Sequence, residues 1–184
     1  MLATFQRAME IRSTKIAGLS LGPVTLAQAY CLYAWESPIV RGGPVEIADF
    51  ATALWTCSNR CWPFESFVDA INRGTPEKVL AKLGKKYRLA DYPKDSKALL
   101  DWITWHCTVP PRFVKETPGA RGSSAPWPMI VAVALIPLFG EDKTWTMPVP
   151  RAMAYKIAMD NAQGDTSWKS EEEEEMGYAN GGDS

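Results

Sequence analysis

The longest apolar run in the chain is WPMIVAVALIPLF, at residues 127–139, and Pro128 falls near its start, where a missing N–H costs least. Gly140 marks its stop. A short polar break, EDKTWTMP, separates it from VPRAMAYKIAMDNAQG, which opens at Pro148 or Pro150 and ends near Gly164. That second stretch distributes Met153, Tyr155, Ile157 and Met159 around a helix. The pattern predicts a buried helix and a partly buried one joined by a Trp-bearing turn. None of these residues is a catalytic group, which points to packing and binding rather than chemistry.

Upstream, the first dozen residues can form a short helix with Phe5, Met9 and Ile11 marking its faces, and IAGLSLGPVTL breaks it at Gly18 and Gly22. Pro23 then opens a helix through about Glu36, whose Leu26, Ala29, Tyr30, Leu32, Tyr33 and Ala34 cover much of its circumference and predict a central helix. SPIVRGGP reads as a loop, with Pro44 at the start of the next helix. There Ile47, Phe50, Ala51, Leu54 and Trp55 recur at i, i+3, i+4 spacing. FESFVDAINRG ends at Gly74, and TPEKVLAKLGKKYR begins with a Thr75 cap, a first-turn Pro76 and Glu77. A further helix over 95–107, capped by Asp95, carries Leu99, Leu100, Trp102, Ile103 and His106 and stops before Pro110-Pro111.

No internal repeat and no alternating strand pattern of useful length is visible, so the expected fold is mainly α. The expected organisation is a compact helical body over 1–113, a flexible polar linker over 114–126, a C-terminal helical pair over 127–164 and a disordered acidic tail over 165–184.

Composition adds limits. The chain of 184 residues is long enough for a sizeable core, and eight Trp residues suit either a bulky interior or an interaction surface. A net charge of −1 gives no global attraction to nucleic acid. Lys78, Lys82, Lys85, Lys86 and Arg88 gather locally, as a solvated helix face. The N-terminus lacks a signal-peptide apolar region, and the run over 129–139 is shorter than the roughly 20 residues a bilayer requires. Neither membrane nor nucleic acid is an expected partner. The expected compartment is cytosolic, with Cys31, Cys57, Cys61 and Cys107 reduced.

Cys57, Cys61, His106 and Cys107 are the right types for zinc, but the spacing opposes it. His106 and Cys107 are adjacent and diverge by about 100° on a helix. His106 is the chain's one histidine, and no oxyanion-hole loop accompanies it for a Cys–His nucleophile. Glycines occur in turns and never as a phosphate-cradling loop. No catalytic residue, metal or cofactor is therefore expected. In the tail, Trp168, Lys169 and the five glutamates 171–175 form an aromatic-acidic segment that a basic groove could capture.

The stretch AGLSLGPVTLAQAYCLYAWESPIVRGG followed by EIADFATALWTCSNR resembles small proteins of tailed-phage and prophage tail modules. There a segment like Leu21-Gly22-Pro23-Val24-Thr25-Leu26 precedes an apolar helix, then a Ser-Pro turn and an Ala-Leu-Trp-x-Cys-Ser helix, here at 53–58. Trp127-Pro128-Met129 and Met147-Pro148 with Arg151-Ala152 are similar to its later part. The resemblance spans residues 19–57 and, more loosely, the C-terminal helices. It implies a tail assembly chaperone: helical, non-enzymatic, acting in the cytoplasm of a bacterial host and binding the tape measure protein or another tail component, with self-association also expected. Trp127, Trp145, Met153, Tyr155 and Trp168 are the expected partner-binding residues. A structural virion component such as a head–tail connector or completion protein is the alternative.

Overall fold

The computed structural model describes residues 13–58, 91–108, 112–114, 125–163 and 166–168, the two outlying three-residue segments as backbone only. The expected helices over 1–12, 64–74 and 75–88 lie outside the described residues, as do Cys61, most of the linker and the glutamate tail. What is described is mostly helical, as the apolar periodicity requires.

The first element is a hairpin where the reading of the sequence placed only a break. Strands β1 (Thr14–Ile16) and β2 (Leu19–Leu21) pair antiparallel, with Thr14 opposite Leu21 and Ile16 opposite Leu19. The two-residue turn puts Ala17 at φ 49° and Gly18 at φ 79°, so both turn residues are left-handed, as a primed turn demands. Lys15 and Ser20 face solvent, while Ile16 and Leu21 are buried. The alternation is complete but only three residues long on each side, too short to stand out as a strand pattern in the sequence. The hairpin packs on the helices over 47–58 and 92–107.

Helix α1 (Leu26–Ala34) begins after Pro23, because Thr25 and Gln28 form a capping box. The Thr25 hydroxyl accepts from the Gln28 N–H at 3.3 Å, and the Gln28 side-chain oxygen accepts from the Thr25 N–H at 2.9 Å. Gln28 Nε2 also donates to the carbonyl of Cys57 at 3.2 Å, satisfying one of the last carbonyls of α3 (Ile47–Ser58). One side chain thus closes the start of one helix and the end of another. Between them, SPIVR forms a short helix, α2 (Pro38–Arg41), in place of the expected loop, with Pro38 in its first turn. Helix α3 starts at Ile47, leaving Pro44 outside, and the Asp49 carboxylate accepts from the Glu46 N–H at 2.9 Å.

Helix α4 (Tyr92–Cys107) starts three residues before Asp95, which sits in its first turn and is not its cap. Tyr92 fixes that start: its hydroxyl donates to the Val45 carbonyl at 2.6 Å and its ring meets Phe50 edge-on at 5.5 Å. After α4, strand β3 (Arg112–Val114) pairs antiparallel with β4 (Thr166–Trp168).

The C-terminal part is α5 (Trp127–Phe139), α6 (Glu141–Trp145) and α7 (Val149–Gln163). The expected turn is the one-and-a-half-turn helix α6. Gly140 makes the corner at φ 79°: its N–H donates to Ile136 at 2.8 Å, and its carbonyl accepts both the N–H and the hydroxyl of Thr144, at 3.1 and 2.8 Å.

Helix α1 is central, as its apolar circumference predicts, and touches α2, α3, α5, α6 and α7. One continuous core joins Leu26, Leu32, Phe50, Leu54, Leu99 and Ile103 to Val131, Leu135, Val149 and Met153. Two aromatic pairs reinforce the junction: Tyr30 against Trp145 at 5.7 Å, and Tyr33 edge-on to Trp127 at 5.9 Å. The segments before α1 and α7 form an antiparallel bridge, in which Leu26 N–H donates to Met147 at 3.0 Å and Val149 N–H donates to Val24 at 2.8 Å.

Two outcomes follow. Gln28→Leu leaves the Cys57 carbonyl and the Thr25 N–H without their partner, so urea denaturation should show a loss of about 2 kcal/mol. Ala17→Asn suits the left-handed first turn position, and its thermal midpoint should rise with a gain of about 0.5 kcal/mol.

Candidate functional site

Helix α5 contains no polar side chain, yet only one side of it is covered. Val131, Ala132 and Leu135 are buried towards α1 and α7. Leu138, 60% exposed, stands at the C-terminal end on the face of Val131 and Leu135, whereas on the opposite side Val133 is 60% exposed and Ile130 41%. Pro137 is exposed with them, in the last turn. Residues 130, 133 and 137, at i, i+3 and i+7, form a ridge along α5. Tyr155 of α7, 41% exposed, meets Phe139 at 4.8 Å on the face that carries Ala132 and Leu135. An apolar helix is ordinarily covered on every side, so this ridge is the feature that packing alone does not explain.

The structure divides the five expected partner-binding residues. Trp145 is 2% exposed, held against Tyr30, and Met153 is buried in the core beside it. Neither can meet a partner, because the corner at Gly140 turns Trp145 inward and α7 presents Met153 to the core. Trp127 is half-buried on Tyr33 at the start of α5. Tyr155 remains accessible. Trp168 stands in β4 opposite Arg112. Ile130 and Val133 are not among the expected residues, although the absence of any charged or hydroxyl position in WPMIVAVALIPLF signals that some apolar side chains must face outward.

The ridge carries no charge. Beyond its C-terminal end, α6 presents Glu141, Asp142 and Lys143 to solvent. The two carboxylates also lie in the first turn of α6, the favourable place for negative charge on a helix. On α7 the Lys156 ammonium pairs with the Asp160 carboxylate one turn on, with most of both side chains shielded from water.

His106 is buried, its ring between Trp102 at 4.5 Å and Trp105 at 4.6 Å. Its Nδ1 lies 2.8 Å from the Trp102 carbonyl, an acceptor, so Nδ1 carries the proton. Cys57 is buried on α3, where its carbonyl takes the Gln28 bond. Among the described residues no group of three His, Cys, Asp or Glu could hold a metal ion. Cys107 keeps some surface exposed, but the chain crowds around its sulfur, and burial pushes the thiol from 9.0 up to about 12. The folded state therefore favours the neutral thiol, and this contribution to stability is lost as pH rises above 9.0, where the unfolded thiol ionises.

Among the described residues no helix is long and apolar enough to cross a membrane. No protein-family model, curated protein or solved structure matches the chain.

In a Cys61→Ser background, Cys31, Cys57 and Cys107 should react with a thiol reagent at pH 8 at least about 100-fold more slowly than a free cysteine, and all three should react on adding denaturant. Rapid modification of Cys107 in the folded protein would contradict its burial.

Proposed function

We propose that this protein is a non-enzymatic binding protein that holds an amphipathic helix of a partner along the outward ridge of α5. In its most specific form, the proposal is a tail assembly chaperone of a tailed phage or prophage whose partner is the tape measure protein. The observation that carries the reading is the exposure of Ile130 and Val133 on one face of a helix without a charged or hydroxyl side chain.

The energetics suit such a role. Burying a valine or leucine side chain stabilises by about 1.5–3 kcal/mol, whereas association costs at least about 4 kcal/mol before any surplus appears. A ridge of this size binds one helix weakly. A long helical rod offers the same kind of contact many times, so many weak contacts along it cover the rod without any single one becoming irreversible. A tape measure protein is expected to be such a rod, prone to aggregate when its apolar stripe is bare. The tail resemblance and the helical fold agree with this assignment, and the ridge supplies a surface for it.

The test is co-expression with a candidate tape measure protein. The tagged wild-type chain should retain the partner in soluble form, and Ile130→Asp/Val133→Asp should lower the recovered partner by at least about tenfold with an unchanged thermal midpoint. Equal recovery with the double variant would remove the ridge from the reading. Recovery of the protein in purified virions would favour a connector or completion protein instead.

A further inference from the structure

We draw no further inference here: the strongest candidate, the apolar surface patch of Ile130 and Val133 on the outer face of α5, belongs to the site already described, and nothing in the structure shows what covers it.

Discussion

Two buried helix starts face the same problem in this fold, and each solves it for the other. The first N–H groups of a helix have no partner within it, and α1 and α7 both begin in the core, at Leu26 and Val149. Leu26 donates to the carbonyl of Met147, just before α7, and Val149 donates to the carbonyl of Val24, just before α1. Neither donor can reach water, so losing either bond would leave a buried polar group unpaired, at about 1–3 kcal/mol. This reciprocal bridge aligns residues more than a hundred positions apart. It sets where the C-terminal helices meet α1, and the Tyr30–Trp145 and Tyr33–Trp127 contacts complete the junction.

Once α1 and α7 are held in this way, α5 has one free side. Its Val131, Ala132 and Leu135 fill the space beside α1 and α7. Because its sequence is apolar all round, the side left over is apolar too. The candidate site is thus a consequence of the packing: the core consumes one face of a helix that has no polar face to offer water. Gly140 then turns the chain so that Trp145 is buried and Glu141 and Asp142 remain outside.

Several local features were legible before the fold was known. Thr25-Leu26-Ala27-Gln28 is a capping box in sequence, and Ala17-Gly18 between two alternating triplets is a hairpin turn, although neither stands out beside the stronger proline and glycine signals nearby. The short helix over SPIVR follows from Pro38 in a first turn and was masked by the breakers after it. The burial of Trp145 and Met153 was not legible. Both lie on segments whose local pattern permits either face to be inward, and only the docking of α6 and α7 on α1 decides which one is.

The sequence by itself determined the helical class, the ends of α5 and the all-round burial of α1, because these depend on periodicity, proline and glycine within a few residues. The tertiary structure alone decided which apolar side chains are core and which form the ridge. Hydrophobicity states that a residue favours leaving water, but not which neighbour removes it, and that choice is made by contacts such as the 24–26 and 147–149 bridge between distant parts of the chain.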